Sequence, residues 1–342
     1  MKLQQLRYLI AIVDSGMNIT AAAQTLFTSQ PGVSKQVKML EDELSLTLFV
    51  RKGKSLERLT EAGEEVVRRA RKILTEVDNI RSVSQEMSGQ QQGSLQVATT
   101  HTQARYVLPD LLESFQRQFP GISVNLQQGT SDQISKRVQE QEADFAIASG
   151  RSELFGDLVT LPIYHWERTV LVKPDHPLTK LPRLSLADLA RYPIISYTHS
   201  FDPGSDQQTA FAKANCKPKV VFTAEDPDVI KAYVRKEMGI GIVACMAYEK
   251  DRDADLVPLN VNRLFPSCTT WIGFRKDRFL RDYMYAFLQI MVPGMDRQQI
   301  DDFIANADGG AGPAFGQSLG ALNQHPNIGN RFSSCCNGTF NL

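Results

Sequence analysis

The sequence predicts an α+β, multidomain fold: a small helical module, then one long helix, then a two-lobed α/β domain. Three observations predict it. The 342 residues exceed one average domain of about 100–200 residues, so two or three cores are expected. Apolar residues recur at helical spacing near the N-terminus, and at alternating spacings of four and three through residues 61–88. After residue 94, strand-like runs alternate with helix-like ones.

Composition narrows the classes. Hydrophobic residues make up 42% and charged residues 22%, close to the globular average of about 45–50% and about 25%, which excludes wholesale disorder and fibres. No apolar run approaches a membrane span, and Met1-Lys2-Leu3-Gln4-Gln5-Leu6-Arg7 has no signal-peptide core, so a cytoplasmic protein without membrane partners is expected. Cys216, Cys245, Cys268, Cys335 and Cys336 are odd in number and lack zinc spacing, which fits free thiols and no metal. The net charge is zero, but residues 1–58 hold eight basic and five acidic residues, a local excess of three positive charges.

Leu6, Leu9, Ile10 and Val13 mark a first amphipathic helix, broken at Ser15-Gly16. Asn18 or Thr20 can cap a second, alanine-rich helix. Phe27-Thr28-Ser29 is a short turn, and Ser29-Gln30-Pro31 opens a third helix reaching about Leu44. Two short helices so joined form a helix-turn-helix, whose second helix enters the DNA major groove. Gln30, Ser34, Lys35 and Lys38 lie on or near one exposed face, where Gln suits adenine and Ser or Lys reach base edges or phosphates. A plain helical bundle with a solvated charged face would share these features. Arg51, Lys52 and Lys54 around a hairpin-type Lys52-Gly53 turn favour a wing along the phosphate backbone, hence a winged helix-turn-helix over residues 1–59.

Thr60 can cap the next helix, predicted over residues 60–88. Its seam of Val66, Ala70, Ile73, Val77, Ile80 and Met87, flanked by charges, fits a dimerising coiled coil, against the alternative of packing on its own N-terminal module. Residues 89–93 read as a polar hinge. Residues 94–300 then alternate strand candidates (95–99, 122–126, 144–148, 169–172, 194–197, 220–223, 240–244) with helical stretches, which suits two lobes around a cleft. Ligands in such sheets bind at the carboxyl ends of strands. The cluster Thr99-Thr100-His101-Thr102-Gln103 stands at such an end and offers neutral donors to an anion or small polar ligand, while helix capping alone would use one of these residues. Ser149 follows another strand at an equivalent place.

The five histidines show no metal-ligand spacing, and no nucleophile elbow, P-loop or dinucleotide fingerprint appears, so neither catalysis nor a cofactor is expected. Residues 301–342 are read as a disordered tail without function: from 308 onward there are seven glycines, and Arg331 is the single charge after Asp308.

The chain resembles the LysR-type transcriptional regulators, and within them the CysB-like subgroup that controls sulfur assimilation. The strings that carry the resemblance are Met1 to Tyr8, Leu26-Phe27-Thr28-Ser29-Gln30-Pro31-Gly32-Val33-Ser34-Lys35-Gln36, Leu40-Glu41-Asp42-Glu43-Leu44, and Ala98-Thr99-Thr100-His101-Thr102-Gln103-Ala104-Arg105-Tyr106. Later strings are Phe145 to Ala148, Asp228 to Lys231, Gly239 to Val243, and Ile272 to Arg275. The string around His101 is specific to the subgroup; the N-terminal one is shared by the whole LysR type. The resemblance implies a periplasmic-binding-protein-like effector domain and a homotetrameric activator built from dimers. It also implies promoter DNA and RNA polymerase as partners, and acetylserine-type or sulfate and thiosulfate effectors held by Thr100, Thr102 and Gln103.

Two positions depart from the subgroup. Ser149 stands for the usual Thr and keeps the hydroxyl. Asp202, in Ser200-Phe201-Asp202-Pro203-Gly204-Ser205, replaces a hydroxyl donor with a carboxylate. A fixed negative charge about 4 Å from an anion costs on the order of 1 kcal/mol in water and about 4 kcal/mol where partly shielded. If Asp202 faces the cleft, an amino-acid zwitterion is therefore favoured over sulfate. Three readings follow: a CysB-like activator, a LysR-type regulator of organosulfur or other catabolism, and a two-lobed solute-binding protein without a regulatory role.

Overall fold

The computed structural model describes residues 1–53, 55–89 and 92–306. Lys54, part of the expected hinge and nearly all of the expected tail lie outside the described residues. The chain separates into two compact units, one of residues 1–90 with Asp277–Arg281, the other of the remainder.

The first unit runs α1 (Leu3–Asp14), α2 (Ile19–Thr25), α3 (Gln30–Leu44), β1 (Phe49–Lys52), β2 (Ser55–Leu59) and α4 (Glu61–Met87). Of the two capping candidates, Asn18 starts α2: its side chain accepts from the Thr20 and Ala21 amides at 3.0 Å. The Ser29 hydroxyl accepts from the Gly32 amide at 3.2 Å, and Pro31 sits in the first turn of α3, where a missing N–H costs nothing. Leu9, Ile12, Ala22, Val33, Val37, Leu40, Phe49, Val67 and Ala70 form one core. Gly53 turns the β1–β2 hairpin at φ +64. Gly63 is required for another reason, because a Cβ there would collide with the Leu48 carbonyl.

The expected α4 seam divides between two faces. Ala70 is buried and Val66 half-buried against the unit's own core, whereas Ile73, Ile80 and Met87 are exposed, Met87 at 86%. The packed face also carries polar residues, with Thr75 and Asn79 buried.

The second unit comprises β3 (Gly93–Thr99), α5 (His101–Tyr106), α6 (Leu108–Gln118), β4 (Ile122–Gln128), α7 (Ser131–Gln139), β5 (Phe145–Ser149), β6 (Val159–Trp166), β7 (Arg168–Val172), α8 (Leu186–Ala190), β8 (Pro193–Tyr197), α9 (Asp206–Lys213), β9 (Lys219–Ala224), α10 (Pro227–Arg235), β10 (Ile240–Ala244), β11 (Val257–Asn260), β12 (Cys268–Phe274), α11 (Asp282–Met291) and α12 (Arg297–Asn306). They build two five-stranded sheets, ordered β4-β3-β5-β12-β6 and β11-β7-β10-β8-β9. Each pairs parallel strands on one side and antiparallel ones on the other. The chain crosses between the sheets twice, at Glu167 and again between β11 and β12, which makes two lobes with a double connection.

Three strands stand outside the sequence expectation: β6, β11 and β12. Pro162 in β6 and Pro258 in β11 mask the first two, and both are edge strands, where a residue without an N–H is tolerated. At the C-terminal end, α12 continues to Asn306 with Ile300 fully buried, so ordered chain passes the expected start of the tail at 301. The apolar face of α12 explains the difference: it packs rather than frays.

Candidate functional site

On the first unit, Gln30, Lys35 and Lys38 are exposed and Ser34 is half-exposed along α3, with Gln30 Nε2 donating to Ser34 Oγ at 3.4 Å. The structure therefore brings the four α3 residues onto one accessible face, as their spacing predicts. Lys52 is exposed at the hairpin; Arg51 is exposed but ion-paired to Glu41 at 3.1 Å. Glu41 is itself fixed by the Leu48 amide at 2.8 Å, so part of the Arg51 charge is neutralised within the module.

On the second unit, a cavity of about 740 Å³ opens between the lobes. That volume suits a small organic ligand. Thr100, Thr102, Gln103, Ser149 and Asp202 all line it. Thr100 precedes α5 in extended conformation and leaves its hydroxyl uncommitted to a cap bond. Thr102 is buried in the cavity wall. The Tyr197 hydroxyl of the other lobe accepts the Ala244 amide at 3.1 Å, and burial pushes this phenol up to about 12.

The floor is a closed polar ring. Tyr164 donates to Gln103 Oε1 at 2.5 Å, and Gln103 Nε2 donates to Ser149 Oγ at 3.2 Å and to Thr270 Oγ1 at 3.5 Å. Ser149 also accepts from the Trp166 indole at 3.0 Å and lies 2.8 Å from Thr270 Oγ1. Gln103 is 1% exposed with both ends of its amide engaged. Burial moves the Tyr164 phenol far above its ordinary range, so it stays a donor. Tyr164, Trp166, Tyr197 and Thr270 escaped the sequence reading, since three of the four lie on or beside strands hidden by proline or adjoining a crossover. The pairing of Thr270 with Ser149 across β12 and β5 was the missing signal.

Both rims are tied across the lobes. On one, Arg151 donates to the Gly204 carbonyl at 3.1 Å. On the other, His101 Nε2 lies 3.2 Å from Asp226, Tyr106 donates to Asp228 at 2.6 Å, and Arg105 reaches Glu249 at 3.2 Å. Lys231, 2% exposed, holds this rim from beneath, contacting Asp228 at 2.8 Å, Asp253 at 2.9 Å and the Ala247 carbonyl at 2.9 Å. Burial alone would raise the Asp228 and Asp253 carboxyls, but hydrogen bonds hold both below the ordinary range: from Lys231 and Tyr106 to Asp228, and from the Glu249 amide, Lys231 and Arg235 to Asp253. Ligand atoms of His101, Asp226 and Asp228 lie within 4.8 Å of one another, yet Asp228 is occupied by Tyr106 and Lys231, which makes the group an ion-pair network.

Asp202 stands on the Gly204 side of the mouth, 58% exposed, its carboxylate 2.7 Å from His199 Nδ1. It borders the cavity and solvent together. At the crossover, burial pushes the Cys268 thiol up to about 11, against the lowering effect of Arg168, so it is not a nucleophile at neutral pH.

Comparison with known proteins gives two family matches. Residues 88–296 match the LysR substrate binding domain, and residues 3–64 match the bacterial regulatory helix-turn-helix proteins of the lysR family. The chain is 44% identical over 301 residues to the HTH-type transcriptional regulator CysB of Haemophilus influenzae, covering 88% of this chain and 93% of that protein. It is 43% identical over 307 residues to the HTH-type transcriptional regulator SsuR of Burkholderia cenocepacia, covering 90% and 100%. The cofactor-binding domain of the Cbl transcriptional regulator superposes with a TM-score of 0.59 at 36% identity, covering 62% of this chain and 93% of that one. Full-length CbnR with its target DNA shares the fold, with a TM-score of 0.55 at 23% identity over 85% of this chain and 99% of that one. Among the described residues no helix is long and apolar enough to cross a membrane.

Proposed function

This chain belongs to the LysR family of transcriptional regulators, and from that premise we propose that it activates sulfur assimilation genes under control of a small sulfur-status ligand. It is a DNA-binding regulator, not an enzyme. Gln30, Ser34, Lys35 and Lys38 read promoter DNA in the major groove, while Arg51, Lys52 and Lys54 hold the phosphate backbone. The exposed Ile73, Ile80 and Met87 stripe pairs two chains, and dimers assemble into a tetramer that engages RNA polymerase in the cytoplasm. A solute-binding protein without regulation is disfavoured by the helix-turn-helix itself.

The observation that carries the reading is the cradle of Thr100 and Thr102 at the carboxyl end of β3, inside a cavity of about 740 Å³. Its neutral hydroxyls suit a carboxylate or sulfate oxyanion. Gln103 and Ser149 act in this reading by fixing the floor, since their polar atoms bond to one another and to Thr270. Asp132, Asp202, Asp206, Glu225 and Asp226 line the same cavity against Arg151 and Arg168, the latter paired with Asp206, and this excess of negative charge favours a ligand carrying an ammonium group, such as O-acetylserine, over sulfate or thiosulfate. Calorimetry on the full chain tests it. O-Acetylserine should bind the native protein and bind Thr102→Ala at least about tenfold more weakly, the equivalent of about 1.4 kcal/mol. Undiminished binding to Thr102→Ala would reject the cradle.

A further inference from the structure

Helix α4 buries two polar side chains, and they are satisfied differently. Thr75 turns back to the Arg71 carbonyl of its own helix at 2.9 Å. Asn79, 9% exposed, is committed to a segment about two hundred residues away. Its Nδ2 donates to the Asp277 carbonyl at 2.8 Å and its Oδ1 accepts the Phe279 amide at 2.9 Å, the two-point pairing a neighbouring strand would make. Further along, the Arg281 guanidinium, 4% exposed, donates to Glu86 at 3.1 Å and Gln85 at 3.0 Å. Asn79 and Glu86 are seven residues apart on α4, about 10 Å along its axis. A helix held at two such points has a fixed angle to the segment, where one point would leave a pivot.

The segment Asp277–Arg281 belongs to the compact unit of α4, yet the chain on both sides of it belongs to the other unit. On its N-terminal side lies β12, whose Thr270 completes the floor of the cavity opposite Ser149. Six residues separate Thr270 from Asp277. On its C-terminal side α11 begins at Asp282 and buries Met284, Phe287 and Leu288. A shift of β12 on ligand binding therefore has a short covalent route to a clasp on the helix that follows the DNA-binding module.

We propose that the Asn79 and Arg281 clasp couples occupancy of the cavity to the setting of α4, with Asn79 as a positioning residue for the DNA response. This rests on the cavity being the effector site. Coupling between two sites is a free energy of its own, separable from affinity at either site, and typically amounts to about 5–150-fold. A demonstrated uncoupling, rather than the position of the residues between the sites, is what establishes it.

The test uses the full chain and two independent variants. Asn79→Asp keeps the acceptor for Phe279 and removes the donor to Asp277; the double variant Gln85→Ala, Glu86→Ala removes the two α4 acceptors of Arg281 without changing a residue of the segment. For each, O-acetylserine and sulfate affinity is read by calorimetry, and promoter affinity by fluorescence anisotropy with and without ligand. The expected result is ligand affinity and ligand-free DNA affinity within about twofold of native, with the ratio of DNA affinities falling toward one. Should both variants keep the native ratio, or should either lose ligand affinity in step with the ratio, the clasp has no coupling role. A native chain that binds neither probe, or whose DNA affinity neither probe changes, would instead overturn the effector reading itself and the clasp with it.

Discussion

Replacing Lys231 with Met should destabilise the ligand-binding unit by about 3 kcal/mol, and the structure sets that magnitude. Removing one partner of a buried ion pair leaves an uncompensated charge and typically costs about 3–5 kcal/mol. Two carboxylates lose a partner here, but neither is abandoned. Asp253 keeps Arg235 at 2.8 Å and the Glu249 amide at 3.0 Å, and Asp228 keeps Tyr106 and has a 42% exposed side chain. The lower end of the range therefore applies. Met fills the space of the lysine stem, so little cavity cost is added. For a domain of about 150–250 residues, roughly 2–4 °C are lost per kcal/mol, which gives a fall of about 6–12 °C in the transition of this unit. Scanning calorimetry reads it, with hydrogen exchange of the α10 peptide as a local check. The pH dependence follows in sign. Asp228 and Asp253 are held below their ordinary value, so their contribution is complete above about pH 4–5 and is lost as pH falls through the lowered values. The gap between native and variant should be constant at neutral pH and narrow under acid. A transition within about 1 °C of native at pH 7 would refute the claim that Lys231 neutralises this rim.

Lys52→Ala should lower affinity for all DNA alike and reduce the slope of log affinity against log salt by about 0.9, with Arg51→Ala giving a smaller change because Glu41 already pairs with it. An unaltered slope for both would remove the wing from the DNA surface. Ile73→Asp with Ile80→Asp places charge on the exposed stripe of α4 and should yield smaller assemblies in sedimentation velocity; unchanged assembly would put the dimer contact elsewhere. Asp202→Thr should tighten sulfate binding and weaken O-acetylserine binding by calorimetry, and equal affinities in both proteins would show that the carboxylate acts only on His199 and solvent.

Much of the first unit was legible because its signals are local. A capping Ser29 before Pro31 fixes where α3 starts, and Gly53 fixes the hairpin. The long helix was legible in extent but not in face, since Asn79 carries no local mark of the segment it binds at Asp277. In the second unit, the threonines after β3 could be found because a strand end followed by hydroxyls is a pattern in one stretch of chain. The polar floor could not. Gln103, Ser149, Tyr164 and Thr270 come from four separate elements, and only sheet register brings them within hydrogen-bonding distance. For the same reason Gln103 reads in sequence as a ligand donor, whereas its amide is wholly engaged by protein atoms. Lys231 carries no local mark of burial in the sequence, and only the second lobe's fold places it between Asp228 and Asp253.

A DNA site and a ligand site carried on one chain are thermodynamically linked if each ligand changes the other's affinity. Linkage requires that the factor by which O-acetylserine changes promoter affinity equal the factor by which promoter DNA changes O-acetylserine affinity. Both can be measured on the native full chain at one salt concentration, the first by anisotropy across ligand concentrations, the second by calorimetry with and without saturating DNA. The two factors should be equal, each differing from one by about fivefold or more, and both should collapse when Thr102 is replaced by Ala. Tight ligand binding that leaves promoter affinity unchanged, or a promoter response that survives in Thr102→Ala, would contradict that linkage.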